Sequence, residues 1–345
     1  MIKLFIINLV LFSAFFSCSE NATKSTTNDE KIYTSVEINQ MLGRGINFGN
    51  ALEAPKEGEW GVVIEDSWFD QVKELGFNHV RIPIRWSSNT ETSNPNSVSQ
   101  EFITRVKHVV NKAVEQNLLV VINFHHYEEL YENPVAEFAR FKQLWTQVAT
   151  VFKDYPNTVV FEILNEPHGN LSAEIWNSMI PDLIQIVRKD NPQRTLIIGL
   201  ANYGGLSGLN VLQLPSDSNI IVTPHYYEPF HFTHQGAEWV EGAGQWLGTT
   251  WTETKSQKEE IDTHFEQILA WSQQNNVPIY IGEFGAYSKA PDESRVAWTK
   301  YVAKKSIDLG FSFAYWEWAS GFGIYNKSTK QIHIGLWKAL IPSGD

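Results

Sequence analysis

Near its middle the chain reads Val159-Val-Phe-Glu-Ile-Leu-Asn-Glu-Pro167, and this stretch indicates the architecture of the whole. Its first half is a β-branched and aromatic run of the length that a buried strand of a parallel sheet takes. The strand must end by Pro167, because proline cannot donate a hydrogen bond to a neighbouring strand. Glu166 is therefore predicted at the carboxyl end of a core strand, where α/β sheets and barrels bind their ligands.

A second glutamate, Glu162, lies four positions before Glu166. In a regular strand without a bulge the two side chains share one face and lie about 13 Å apart. If Glu166 is at the mouth of the fold, Glu162 is deep inside it. We therefore expect Glu162 to have a structural role and to be neutralised by a buried arginine.

Seven further strand-like segments alternate with helical periodicities, which predicts a single closed (β/α)8 TIM barrel, an α/β fold, over residues 36–342. The predicted strands are 43–48, 79–84, 118–124, 159–164, 195–200, 220–223, 279–282 and 312–315. The main predicted helices are 67–75, 100–116, 136–154, 173–189, 259–275 and 292–309, with a short fifth helix within 204–214.

The composition limits the possible partners. The chain has 345 residues, 43% of them hydrophobic, and a formal net charge of −12. Such a length can bury a large core, and single α/β barrels reach this size. The negative charge argues against nucleic acid or an anionic membrane surface as a partner, but not against a neutral substrate. We expect a monomer.

Residues 1–18 have the features of an export signal. Lys3 precedes the apolar run Leu4–Phe16, which is too short to span a membrane and typical of a signal peptide. Cys18, the only cysteine, closes this segment as in a bacterial lipoprotein signal, with conventional cleavage as the alternative. A polar tether is expected over 19–35. The protein is therefore expected in the cell envelope, at the periplasm or cell surface, or secreted, with a lipid anchor at Cys18 as its only membrane contact.

Polar residues follow nearly every predicted strand, and in a barrel these strand ends converge on one mouth. They are Asn47, Asn50, Arg81, His125, His126, Asn165, Glu166, His225, Tyr227, Glu283 and Trp316.

Two of these residues, Glu166 and Glu283, follow strands four and seven on opposite sides of the mouth. Such a pair suits glycoside hydrolysis, in which one acid protonates the leaving oxygen and the other attacks the anomeric carbon. A separation of about 5–5.5 Å means retention of configuration, and about 6.5–9.5 Å leaves room for water and means inversion. We expect the charge of the nucleophile to raise the pKa of the other acid.

Several strings around these positions resemble glycoside hydrolase family 5, close to its thermophilic endoglucanase and mannanase branch. They are Arg44-Gly-Ile-Asn-Phe-Gly-Asn50, Val80-Arg-Ile-Pro83, Asn123-Phe-His-His126, Leu164-Asn-Glu-Pro167, Ile281-Gly-Glu-Phe284 and Tyr315-Trp-Glu-Trp318. The segments Asn50-Ala-Leu-Glu-Ala-Pro55 and Phe232-Thr-His-Gln-Gly-Ala-Glu-Trp239 carry the finer likeness. The resemblance covers residues 40–341 and implies a TIM barrel, a polysaccharide substrate and no metal or organic cofactor.

The resemblance also implies a role for each matching residue. Glu166 would be the acid/base and Glu283 the nucleophile, with retention as the outcome. Asn165 would bind the sugar 2-hydroxyl, Arg81 would keep Glu283 ionised, and Tyr227 would orient it. Further substrate contacts would come from Asn50, Glu53, His125, His126, His225, His234, Trp239 and Trp316. Close relatives have an acidic residue followed by tryptophan where this chain has Asn202-Tyr203. The resemblance therefore does not extend to one aromatic platform on the aglycone side.

The implied activity is a retaining endo-β-1,4-glycanase acting on β-1,4-glucan, with β-mannan or xyloglucan as alternative substrates. A non-catalytic glycan-binding protein and a transglycosylase with the same pair remain alternatives. The His125-His126 pair could suggest a metal site, but barrel metallohydrolases place a His-x-His pair on the first strand, where this chain has Asn47 and Phe48. His168 is interpreted as an ordinary loop histidine, and Glu317 as a structural residue that points away from the mouth.

Overall fold

A computed structural model describes residues 32–342. The predicted signal peptide, Cys18 and most of the predicted tether lie outside this range. Residues 32–34 precede the first helix, which begins at Ser35 behind an N-cap formed by Thr34 and Glu37. In the described part of the chain, no helix combines the length and apolar character that crossing a membrane requires.

Eight parallel strands form the barrel, and each pairs with its neighbours in chain order. They are β1 (Arg44–Asn47), β2 (His79–Ile82), β3 (Leu119–Asn123), β4 (Val159–Glu162), β5 (Leu196–Gly199), β6 (Ile220–Thr223), β7 (Tyr280–Ile281) and β8 (Ser312–Tyr315). Strand β8 pairs with both β7 and β1. A parallel bridge between Val222 and Ile279 joins β6 to the start of β7 and completes the ring.

Helices surround the strands. They are α1 (Ser35–Leu42), α2 (Ser67–Glu74), α3 (Gln100–Glu115), α4 (Glu128–Glu132), α5 (Pro134–Val151), α6 (Ala173–Asp190), α7 (Phe230–Thr233), α8 (Lys255–Asn275), α9 (Asp292–Asp308) and α10 (Ile334–Leu340). After β5 the chain forms the 3-10 helix Leu206–Val211. It lies where the sequence predicted a short fifth helix. Two small hairpins pair Thr90–Glu91 with Asn94–Val98 and Tyr325–Asn326 with Gln331–Ile332.

The prediction of a (β/α)8 barrel is confirmed, and each predicted strand agrees with its observed bounds to within two residues. The differences lie mainly at strand ends. Strand β4 ends at Glu162, and Glu166 has a positive φ of 37°. The 13 Å estimate for a regular strand therefore does not apply between these two glutamates.

Alternate residues of the strands serve two separate cores. Val120 and Ile122 of β3 pack in the large cluster between strands and helices, whereas Leu119 and Val121 belong to a small cluster inside the barrel. Ile38 and Leu42 of α1 join this inner cluster. Because α1 fills the amino end of the barrel, the carboxyl end is left for the functional site.

Candidate active site

The carboxyl ends of the strands surround a cleft of about 1400 Å³. Eleven of the thirteen predicted site residues line it, namely Asn50, Glu53, His125, His126, Glu166, His225, Tyr227, His234, Trp239, Glu283 and Trp316. The other two, Arg81 and Asn165, are buried and are joined to each other by a hydrogen bond of 2.7 Å. The predicted site residues thus lie together at the carboxyl end of the barrel.

Glu166 and Glu283 approach each other closely across this cleft. One carboxylate oxygen from each, together with one ring nitrogen of His225, lies within 4.8 Å of the other two atoms. Glu283 is held in place by a short parallel pair of strands, in which it is opposite His225. The two carboxylates are therefore close to the separation of a retaining glycosidase and too close for the intervening water of an inverting one.

Arg81 is the buried centre of the polar network under the cleft. Its guanidinium donates to Glu162 through Nε (2.6 Å) and Nη2 (2.7 Å), so the predicted buried arginine partner of Glu162 is present. Nη1 donates to Glu283 Oε1 at 2.7 Å and to Asn47 Oδ1 at 2.9 Å. A planar guanidinium provides several donors in fixed directions, and this fixes both carboxylates relative to each other.

Two further side chains contact the second oxygen of Glu283. The Tyr227 hydroxyl donates to Oε2 at 2.9 Å, so the contact expected from the resemblance is present. His225 Nδ1 lies 3.7 Å from the same oxygen and 2.7 Å from Glu166 Oε1. The imidazole thus lies between the two carboxylates, and a proton on Nδ1 is donated to Glu166.

The pKa values of this group differ from the sequence expectation. Burial favours the neutral form of Glu166, but the hydrogen bond and charge of His225, assisted by Arg81, lower the pKa of Glu166. Burial raises the pKa of Glu283, although His225 and Arg81 oppose it. The expected rise in the pKa of Glu166 is therefore wrong. The reason is His225, whose own pKa is raised by the two carboxylates against the effect of burial.

Neutral imidazoles and an indole form the wall beside these carboxylates. His125 stacks on Trp316 with ring centres 5.6 Å apart and an interplanar angle of 9°. Burial lowers the pKa of His125 well below its ordinary value, and lowers those of His126 and His234 to about 4. At neutral pH these rings can therefore exchange hydrogen bonds with sugar hydroxyls without carrying charge.

Glu53 and Glu317 form a second, buried pair of carboxyl groups. Glu53 accepts hydrogen bonds from the backbone amides of Asn50 and Ala51, and burial raises its pKa to about 8. Glu317 accepts from Asn50 Nδ2 at 3.2 Å and from the Phe322 amide at 3.3 Å. The structural interpretation of Glu317 fits these contacts. Glu53 supports the Asn50 loop as well as lining the cleft.

Several aromatic residues of the cleft were missed in the sequence. Trp60 is 41% exposed and packs edge-on against His126, with ring centres 5.7 Å apart. The predicted Trp239 is 60% exposed and packs against Tyr287 and Phe322, which were not predicted. These residues belong to long loops without periodicity, so only their clustering in space identifies them. Exposed tryptophan in a loop was the available signal.

Glu166, His225 and Glu283 offer a set of ligand atoms of the kind that binds divalent metals. However, the Arg81 guanidinium lies 2.7 Å from Glu283 Oε1, and its charge opposes a cation at the same oxygen. The donor set therefore does not fit a resident metal ion.

Comparison with known proteins agrees with this geometry. The profile of the family described as Cellulase (glycosyl hydrolase family 5) matches residues 43–321. Endoglucanase H of Acetivibrio thermocellus is 32% identical over 327 residues, which cover 92% of this chain and 35% of Endoglucanase H. This chain thus spans about a third of the length of that relative.

This chain is similar over most of its length to two crystal structures of Cel5A from Thermotoga maritima. The endoglucanase Cel5A structure is 50% identical with a TM-score of 0.88, covering 90% of this chain and 100% of that one. The structure in complex with mannotriose is 50% identical with a TM-score of 0.87, covering 89% and 100%. The match over residues 43–321, together with the two opposed glutamates on barrel strands, establishes that the chain belongs to glycoside hydrolase family 5, among relatives of the thermophilic endoglucanase branch.

Proposed function

We propose that the protein is a retaining endo-β-1,4-glucanase in which Glu283 is the nucleophile and Glu166 the acid/base. One observation supports this most strongly. A carboxylate oxygen of Glu166, a carboxylate oxygen of Glu283 and a ring nitrogen of His225 all lie within 4.8 Å of one another. That spacing suits direct attack by a carboxylate on the anomeric carbon.

In the first step, a Glu283 oxygen bonds to the anomeric carbon as the bond to the leaving oxygen breaks. Arg81 and Tyr227 fix the orientation of Glu283 through its two oxygens. Glu166 takes a proton from His225 Nδ1, 2.7 Å away, and gives it to the leaving oxygen, which leaves Glu166 as a carboxylate. In the second step, Glu166 takes a proton from water, which attacks the same carbon and releases Glu283.

β-1,4-Glucan is the proposed main substrate, and the curated relatives include several endoglucanases. β-Mannan is the second candidate, because the similar Thermotoga maritima Cel5A was solved with mannotriose as well as with cellobiose. The cleft supports both candidates, since about 1400 Å³ holds several sugar units and no lysine or arginine of residues 32–342 belongs to its lining.

The proposed roles predict different losses for two variants. Glu166→Ala should reduce kcat/KM by about 10²–10⁴ on an aryl cellobioside with a poor leaving group, and far less with a good leaving group. Glu283→Ala should lose most turnover on both and regain part of it with azide, which gives the opposite anomer. Near-normal turnover of both variants would refute the assignment, whereas no hydrolysis of a chromogenic cellobioside by the unaltered protein would favour a non-catalytic glycan-binding protein.

Substrate preference needs a direct comparison. Product profiles on barley β-glucan, carboxymethyl cellulose, glucomannan and xyloglucan, with one enzyme preparation, should give short oligosaccharides fastest from β-glucan. Faster release of oligosaccharides from glucomannan would make mannan the main substrate. Products in which an added acceptor sugar has been extended would indicate transglycosylation.

We also propose export through residues 1–18, with acylation at Cys18. The support is the sequence alone, in which a short apolar run after Lys3 is followed two residues later by the only cysteine. Expression in a bacterial host with labelled palmitate should label the unaltered protein but not Cys18→Ser. Equal absence of label in both would favour conventional cleavage and secretion.

A further inference from the structure

The backbone of Glu166 adopts an unusual conformation for its residue type. Its φ of 37° is positive, and a residue with a Cβ atom adopts such a backbone angle only at a cost in free energy. Such a conformation persists where surrounding contacts hold it, and it is most often found at functional sites. The contacts that hold Glu166 therefore also determine where its carboxylate points.

His168 makes a direct contact to this backbone. Its Nδ1–H donates to the carbonyl oxygen of Glu166 at 2.6 Å. The imidazole is itself clamped between two aromatic rings, with centroid distances of 4.0 Å to Tyr131 and 4.2 Å to Tyr203. His168 lies in a loop, as expected from the sequence, but its ring makes specific contacts that the sequence did not indicate.

The inner ring of the clamp is rigidly attached to the site. The Tyr131 hydroxyl donates to the carbonyl oxygens of His125 and Asn165, at 3.0 Å each. Tyr131 is only 3% exposed, so its ring cannot move away from His168. The imidazole plane is thereby fixed relative to the strand end that carries Glu166.

The outer ring faces the cleft. Tyr203 is 61% exposed, lines the cleft and lies nearly parallel to His168, with an interplanar angle of 15°. Its backbone amide donates to the carbonyl oxygen of Pro167 at 3.3 Å, which places it on the Glu166 side of the site. The sugar that departs with the protonated oxygen must leave on that side, where it can cover the exposed ring.

We propose that His168 is a positioning residue, which holds the Glu166 backbone through its hydrogen bond and supports Tyr203 as the platform for the leaving sugar. The proposal rests on the role of Glu166 as acid/base. One side chain thus links occupancy of the leaving-sugar site to the position of the proton donor.

Two substitutions of His168 separate its two contacts. His168→Phe keeps an aromatic ring between the tyrosines and loses the donor. His168→Asn places an amide nitrogen close to the position of Nδ1 and loses the ring. His168→Phe should lower kcat/KM on phenyl cellobioside by about 10- to 100-fold, as expected for a displaced catalytic group, with little effect on dinitrophenyl cellobioside. His168→Asn should restore most of the rate on phenyl cellobioside.

The stack is tested on cellotetraose, which can place a sugar on Tyr203. His168→Asn and Tyr203→Ala should both lower kcat/KM for cellotetraose by about 2- to 10-fold through a higher KM, the value of an aromatic contact. Tyr203→Phe, which keeps the ring, is the matched control and should behave like the unaltered enzyme.

A merely structural His168 would lower the rates on both aryl substrates equally, and that result would overturn the proposal. So would a His168→Phe variant with no loss on phenyl cellobioside. The variant Glu166→Ala, measured in parallel, distinguishes failure of the proposed function from failure of this inference. If the loss of kcat/KM in Glu166→Ala does not depend on the leaving group, the proposed function fails. If that loss depends on the leaving group but the loss in His168→Phe does not, only the inference about His168 fails.

Discussion

Nη1 of Arg81 lies 2.7 Å from Oε1 of Glu283, and the Arg81 side chain has no solvent exposure. The proposed nucleophile is therefore held by a residue that belongs to the barrel core. Since the same guanidinium also neutralises Glu162, stability and activity should depend on Arg81 together.

Arg81→Lys should lower both the stability of the fold and the activity. A lysine presents one ammonium group and cannot replace the planar set of donors to Glu162, Glu283 and Asn165. Breaking a buried ion pair costs about 3–5 kcal/mol of unfolding free energy, and kcat should fall with it. Denaturant unfolding and kcat on β-glucan measure the two effects.

Arg105→Lys is the matched control for that experiment. The Arg105–Glu57 pair is partly exposed, at 27% and 17% of the two side chains, and surface pairs contribute about 0–1 kcal/mol. An Arg81→Lys variant no more affected than Arg105→Lys would contradict the central place given to Arg81.

Tyr227→Phe should move the acid limb of the pH profile. The Tyr227 hydroxyl donates to Oε2 of Glu283, and losing a donor to the charged form raises the pKa of a carboxyl group. Because Glu283 must be ionised to attack, the acid limb of kcat/KM should shift to higher pH, with roughly a tenfold or larger fall at its maximum. Tyr301→Phe, which loses hydrogen bonds to Asp262, should leave the profile unchanged.

Glu53 should make stability depend on pH. Its pKa is raised from 4.5 to about 8 by burial, so between these values the unfolded chain is ionised while the folded protein keeps the proton. The unfolding free energy contributed by this group is thus fully present below pH 4.5, declines as pH rises, and is lost above about 8. Glu53→Gln, which has no proton to lose, should gain thermal stability relative to the unaltered protein as pH rises from 5 to 8. Parallel melting curves over that range would refute this.

Sequence reasoning succeeded where the chemistry is local. Strand ends such as Ile163–Pro167 carry their functional residues at fixed positions, so the barrel and its converging side chains could be predicted. Asn165 and Arg81 are brought together by the fold itself, because the parallel strands of a barrel all end at one mouth.

Properties that depend on contacts between distant loops could not be predicted. The pKa of Glu166 is lowered against the effect of burial chiefly by His225, whose Nδ1 lies 2.7 Å from Oε1 of Glu166 and 3.7 Å from Oε2 of Glu283. Trp60 gives no periodic signal, and His168 acquires its contacts only when Tyr131 and Tyr203 fold around it.

Trp60 should contribute to binding of long chains. Its exposed indole lies beside His126 in the lining of the cleft, and an aromatic contact contributes about 0.5–1.5 kcal/mol. Trp60→Ala should raise KM on β-glucan by about 2- to 10-fold and leave dinitrophenyl cellobioside hydrolysis unchanged, while Trp60→Phe should retain most of the affinity. An equal loss on both substrates would indicate a structural role for Trp60 instead.

A fluorinated substrate tests most directly whether Glu283 forms a covalent bond to the sugar. A 2-deoxy-2-fluoro cellobioside with a dinitrophenyl leaving group should inactivate the enzyme, because the fluorine slows release of the glycosyl intermediate. Peptide mass spectrometry should then find one added 2-deoxy-2-fluorocellobiosyl group on the peptide that contains Glu283. A label on any other residue, or full activity without a label, would contradict the assignment of Glu283 as the nucleophile.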